Sequence, residues 1–309
     1  PNNDGGIQKE FERMINKRLQ NPEYKKFFNM LQVVSFSNNM EYEDTDAIED
    51  ISVRYSCPGW IVSLLEDTYG GDDAKAMVAS FMGAKNLYIR VNLTRISVDG
   101  LRKKLTDSGI GVRSVEGYPE ALMLSGIDRV TNLPGFSEGL FSVQDISSMS
   151  IGGLVEPFKG MKALELCAAP GGKCCHIAER LTGYGEVEAR DISERKLAFI
   201  RENVERLGLQ NIRIRLCDAE SYDEISEGAY DVVLADLPCS GLGVIGRKNE
   251  IKYRVQREDI ASLAALQRRI IDASVSYVKP GGVFYALKGP ALGEELADAK
   301  SAIETLGRS

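Results

Sequence analysis

The segment "DVVLADLPCSGLG", residues 231–243, begins as a buried strand and ends in a carboxylate, a thiol and a hydroxyl: Asp236, Cys239 and Ser240. A strand that only has to stop needs a single Gly or Pro. In an open α/β sheet, ligands bind beyond the C-terminal ends of the strands, so reactive groups delivered there imply a site. A second segment of this kind is "LELCAAPGGK", in which Cys167, Ala168, Ala169, Pro170, Gly171, Gly172 and Lys173 follow a short apolar run. Small residues let the backbone approach a ligand closely, and the helix that follows offers its N-terminus. Two more apolar runs end in acids. "EARDIS" ends in Asp191, placed to accept from ribose hydroxyls, and "RLCDAE" ends in Asp218, placed to accept from an adenine amino group. Any one of these acids is as readily a helix cap or a turn residue. Asp191, Asp218 and Asp236 at successive strand ends, beside a glycine-rich turn, suit a nucleoside that carries no phosphate. S-adenosylmethionine, with adenine, ribose and a cationic sulfonium, is such a ligand.

The elements that must hold these residues are readable from periodicity. "MKALELC", "GEVEARD", "IRIRLCD", "YDVVLADLP" and "GGVFYALK" are five apolar runs, and helical stretches separate most of them. One of these, "SERKLAFIRENVERLG", puts Leu197, Ile200, Val204 and Leu207 on one face. Strands alternating with helices predict a doubly wound, mainly parallel sheet. Upstream, "PGWIVSLLEDTYG" and "DDAKAMVASFMG" read as helices and "NLYIRVNLT" as a strand. "SVDGLRKKLTDSG" reads as a helix with a Ser cap and a terminal Gly, and "GVRSV" and "EALMLSG" as two short strands. The expected organisation is a helical N-terminal segment over 1–45, a small α+β domain over 46–150 and an α/β domain over 151–309.

Composition narrows the chemistry. The chain has 309 residues, 43% apolar and 27% charged, with no apolar run near the length that crosses a bilayer. No hydrophobic signal segment opens the sequence, and six cysteines in a chain of this size do not make a disulfide framework. Reduced thiols and a cytoplasmic location are expected. The net charge of −7 argues against non-specific coating of nucleic acid but leaves room for a local basic face. The single histidine, His176, sets aside most hydrolase mechanisms that run on a His base. Cys167, Cys174, Cys175 and His176 are expected to pack instead of holding a metal, because adjacent cysteines on one helical turn make poor joint ligands.

"LELCAAPGGK", "EARDIS", "DLPCSGLGVIGRKNEIKYR" and "LQRRIIDASVSYVKPGG" closely resemble the bacterial small-subunit ribosomal RNA cytosine-C5 methyltransferases. The likeness extends upstream through "YSCPGWIV", "LYIRVNLT" and "GLFSVQDISSM". It implies a Rossmann-like class I methyltransferase domain, S-adenosylmethionine as cofactor and a cytosine of small-subunit rRNA as substrate. It also implies that Cys167 to Lys173, Asp191, Asp218 and Asp236 hold the cofactor. In such chemistry a thiolate adds to carbon 6 of the base and makes carbon 5 nucleophilic, which splits one hard step into two. The base must first leave its stack. Cys239 is the candidate nucleophile. The basic stretch "GRKNEIKYRVQRED" supplies candidate phosphate contacts in Lys248, Lys252 and Arg254; Arg90, Asn92 and Arg95 are weaker candidates.

The sequence also departs from that family, which uses a second cysteine after the fifth strand, normally as the nucleophile. Here no cysteine follows Cys239, and Lys288 stands about where that thiol would be. The end of the chain, "PGGVFYALKGP" with "EELADAKSAIETLG", resembles the small-subunit rRNA guanine-N7 methyltransferases. Gly307 is followed in this sequence by Arg308 and Ser309, so the helix and antiparallel strand pair that usually complete such a sheet are expected to be missing from these 309 residues. Two other readings therefore stay open: a module that binds cofactor and RNA without turnover, and an rRNA methyltransferase of another specificity such as guanine N7.

Overall fold

The computed structural model describes residues 51–83, 86–127 and 129–287. The helical segment expected over 1–45 lies outside the described residues, as do Lys288 and the tail beyond it. The rest forms two compact units. One takes the described residues up to 83 together with 239–262, and the other takes 86–238 with the residues from 263 onward.

The first unit is helical. α1 (Ile51–Arg54), α2 (Gly59–Tyr69) and α3 (Gly71–Ser80) gather around Cys57, Ile61, Val62 and Val78. Ile245, Ile251 and Val255 complete the cluster from much later in the sequence, and Trp60 packs against it.

The second unit contains both sheets. The smaller sheet is antiparallel, with β1 (Leu87–Val91), β2 (Gly111–Val115), β3 (Tyr118–Ser125) and β4 (Phe141–Val143) in the order β2-β3-β1-β4. α4 (Val98–Asp107) covers one face through Leu101 and Leu105. It starts where the sequence predicts, with the Ser97 side chain accepting from Gly100 N at 3.1 Å. After α5 (Ile146–Leu154) the larger sheet begins. β5 (Lys162–Leu166), α6 (Gly172–Arg180), β6 (Glu186–Asp191), α7 (Glu194–Leu207), β7 (Ile212–Leu216), β8 (Tyr230–Ala235), α8 (Arg257–Ser274) and β9 (Val278–Ala286) follow one another. Its five strands are all parallel, in the order β7-β6-β5-β8-β9. The order reverses between β5 and β8, which is where a doubly wound sheet opens a crevice at its C-terminal edge.

Leu197, Ile200 and Leu207 of α7 are buried with α6 against one face of this sheet, as the helical spacing predicts. Ile270 of α8, with Leu164, Leu166 and Val233, forms the core of the other face. The connection from β7 to β8 consists of loop and one 3₁₀ turn, Glu224–Ser226.

Arg90 and Asn92 lie where the two sheets meet. Arg90 is 1% exposed; it forms a two-pronged ion pair with Glu179 of α6 and donates from Nε to Gln144 at 2.7 Å. Asn92 Nδ2 donates to Gly139 O at 3.0 Å and Leu207 O at 3.3 Å. Arg206 donates from α7 to Phe136 O and Phe141 O at 3.0 and 2.9 Å. The expectation that Arg90 and Asn92 contact RNA is therefore corrected: both side chains are spent inside the protein. Arg95 donates to Glu138 O at 2.6 Å.

Candidate cofactor and active site

The loop from β5 into α6 turns sharply. Cys167 adopts φ 56° and Gly171 φ 104°, and the second of these is a conformation that glycine alone takes without strain. Ala168 N donates to Arg190 O at 2.8 Å, which ties the loop to β6. Asn203 of α7 donates to Pro170 O at 3.0 Å. A Cβ on Gly172 would meet nothing within 4 Å, so the first turn of α6 is open on its outer side. The Cys167 thiol is pushed up to about 12, by burial first and then by the Asp191 charge, so it stays protonated and is no nucleophile.

Asp191 ends β6 and is only 3% exposed. Its carboxylate accepts from Ala169 N at 3.0 Å and Ile192 N at 2.8 Å, and Lys196 Nζ lies 3.0 Å away. A carboxylate offers about four lone pairs, so these partners leave capacity for about one ligand hydroxyl, fewer than the two the sequence reading assigned. Asp218, after β7, is exposed and accepts from Glu220 N at 3.0 Å. Asp236, after β8, is ion-paired with Lys173 of α6; their side chains are 39% and 14% exposed. Leu166 and Ala235 are register partners on adjacent strands, so the glycine loop and Asp236 leave the sheet at the same edge.

Two contributors escaped the sequence reading. Glu165 points to the helix-covered face of β5, is 2% exposed, and its Oε2 finds no partner among the described residues. Burial raises it to about 8 against the pull of Lys173, and Asp236 adds to the rise. An acid inside the apolar run "KALEL" was the available signal, but strand alternation does not say which face will be dry. Ile192, 58% exposed directly after Asp191, offers an apolar surface at the same edge. An exposed aliphatic side chain and a glycine turn at one sheet edge fit a nucleoside such as S-adenosylmethionine.

Cys239 is an exposed free thiol three residues after Asp236 in sequence. The turn before it is anchored by Gln267, which donates to Pro238 O at 2.7 Å. Lys248 and Arg254 are exposed. Lys252 is not: it is 1% exposed, its ammonium reaches Tyr55 O at 3.4 Å and lies 5.2 Å from the Tyr253 ring. Its assignment to phosphate contact is corrected on that ground, because a buried ammonium cannot displace counterions from RNA. Cys174, Cys175 and His176 are buried along α6. Among the described residues no group of three or more His, Cys, Asp or Glu is placed to hold a metal.

Comparison with known proteins identifies the lineage. Residues 153–305 match the family model of the 16S rRNA methyltransferase RsmB/F, and residues 57–131 match the ferredoxin-like domain of RsmF/B-like methyltransferases. The chain belongs to the RsmB/F methyltransferase family. S-adenosylmethionine is the cofactor of that family. The chain is 36% identical over 246 residues to ribosomal RNA small subunit methyltransferase B of Salmonella paratyphi B, and equally so to that of Salmonella typhi. The match covers 79% of this chain and 57% of each relative, so the chain spans little more than half their length. Among solved structures, a methyltransferase homolog from Pyrococcus horikoshii aligns with a TM-score of 0.66 at 27% identity, over 82% of this chain and 81% of that one. NSun6 from the same organism, solved with SFG, aligns at a TM-score of 0.70 and 21% identity over 80% and 87%, which supports the Rossmann-like fold. Among the described residues no helix is long and apolar enough to cross a membrane.

Proposed function

We propose that the chain is an S-adenosylmethionine-dependent methyltransferase of small-subunit rRNA that acts on cytosine C5, with Cys239 as its nucleophile. Its parts are an α+β domain over 46–150 and a methyltransferase domain over 151–309. The observation that carries this reading is the Lys173–Asp236 ion pair at the C-terminal edge of the sheet, with an exposed thiol three residues further along the chain. The family model runs through residue 305, across the segment that resembles guanine-N7 enzymes, and this favours the cytosine reading over the guanine one.

The residues divide the work. The 167–173 loop and Asp191 hold the cofactor, which supplies an electrophilic methyl group when bound, and Asp218 accepts from its adenine. Cys239 as thiolate would add to carbon 6 of the target base while N3 takes up a proton; carbon 5 would then be nucleophilic enough to accept the methyl group, whose bond to sulfur breaks as S-adenosylhomocysteine leaves. Loss of the carbon-5 proton to a base then expels the thiolate and restores the ring. Lys248 and Arg254 contact phosphates. The work takes place in the cytoplasm, where the substrate is.

Lys288 stands about where the second cysteine of the resembled family would be, so turnover is expected to be weak and wholly dependent on Cys239. The test is incubation with labelled S-adenosylmethionine and undermethylated small-subunit rRNA, followed by nucleoside analysis. RNA carrying 5-fluorocytosine serves as a trap, because fluorine blocks the final proton loss. A Cys239-linked adduct is the expected result. 7-Methylguanine, or binding of cofactor and RNA with no adduct, would select the other readings.

A further inference from the structure

Arg190 precedes Asp191 on β6 and points to the opposite face of the sheet, where it is 1% exposed. Its Nε donates to Glu188 at 2.7 Å, and its Nη2 donates to Ser226 Oγ at 2.6 Å and Tyr230 Oη at 3.0 Å and lies 3.2 Å from Asp223 Oδ2. The rings of Tyr230 and Tyr277 lie 5.8 and 5.7 Å from its guanidinium carbon. Asp223 in turn accepts from Arg215 at 2.6 Å and from Ser226 at 2.8 Å, and its backbone N–H donates to Tyr277 Oη at 2.7 Å. A doubly wound sheet normally covers this face with a crossover helix. Here a buried guanidinium pins a loop in its place, and Asp218 sits on that loop, between β7 and the anchored Asp223.

We propose that Arg190 is a positioning residue of the cofactor site: it fixes the β7–β8 segment so that Asp218 meets the adenine amino group while its chain neighbour Asp191 meets the ribose. The proposal rests on the cofactor reading above. A guanidinium suits the task because its planar fork joins a strand acid, Glu188, to loop groups at Ser226 and Asp223, whereas a lysine ammonium has no such fork. Losing it removes the loop's buried anchor at Ser226 and Asp223, leaving the Arg269–Glu220 pair at 2.5 Å and Asp191 on its strand.

The test compares S-adenosylhomocysteine with S-inosylhomocysteine, in which the amino group is replaced by a carbonyl, by calorimetry on the whole chain. The unmodified chain is expected to prefer the adenosyl ligand by about tenfold or more, the worth of a hydrogen bond to a carboxylate. Asp218→Ala and Arg190→Met are both expected to bring the ratio to within about twofold. A merely structural loss would weaken both ligands equally and leave the ratio alone. Asp223→Ala, which cuts the same anchor from the loop side, gives the answer if Arg190→Met does not fold. An unchanged ratio in the anchor variants, or no discrimination by the unmodified chain, would overturn the proposal. An unmodified chain that bound neither ligand would overturn the cofactor reading itself.

Discussion

Asp191 and Glu165 are both acids in nearly dry surroundings, yet they play different parts. Asp191 is satisfied by two backbone amides and Lys196. Asp191→Ala is expected to cost roughly 1–3 kcal/mol of cofactor affinity, the usual worth of a charge-assisted hydrogen bond, read by calorimetry. Glu165 keeps one oxygen, Oε2, without a partner among the described residues and is held up at about 8, mainly by burial. The unfolded chain releases its proton near the ordinary value of 4.5 while the folded chain keeps it. Stability therefore falls as pH rises from about 4.5 to about 8 and is fully lost to this group above that. Glu165→Gln is expected to melt like the unmodified chain near pH 5 and to be the more stable by a few kcal/mol (order of magnitude) near pH 8.5, measured by paired thermal scans. The strand-end acids were legible in the sequence because a carboxylate that ends an apolar run is conspicuous. The environment of each was not, since it depends on which loop and helix fold back over it. Lys252 shows the same limit: "IKYR" reads as a basic surface, and only the packing beside Tyr55 makes it interior.

The close approach of α5 and α6 depends on a glycine. Gly152 of α5 faces the His176 ring so closely that a Cβ would lie 2.1 Å from Nδ1. His176 is 3% exposed and lowered to about 2, chiefly by burial and then by Arg90 and Arg180, so it stays neutral. Gly152→Ala gains about 1 kcal/mol of helix propensity and loses about 1–3 kcal/mol to overpacking. The expected net effect is a lower melting temperature, restored in part by adding His176→Ala. Recovery in the double variant would mark the clash as local to this pair. The Ser97 cap lies where the sequence put it, because capping is decided within one turn. The helix-free crossover between β7 and β8 was not legible, since its stability comes from Arg190 on another strand.

The 309 residues carry a net charge of −7, so the RNA binding proposed above requires a local field. Lys248→Ala with Arg254→Ala is expected to flatten the dependence of log affinity on log salt by about 0.7–0.9 for each phosphate that is no longer neutralised. Lys252→Met should leave that slope unchanged, and filter binding over a salt series separates the two cases. The discontinuity of the helical unit has another outcome, which appears during synthesis. α2 and α3 leave the ribosome early, but Ile245, Ile251 and Val255, which complete their apolar cluster, are made only after the small sheet and four strands of the large one. At about 5–20 residues per second, the wait is on the order of ten seconds or more. A nascent chain stalled before Ile245 displays the faces of Ile61 and Val78 without the residues that close over them. Such a chain is expected to recruit a holding chaperone through those faces, which are covered once Val255 has emerged.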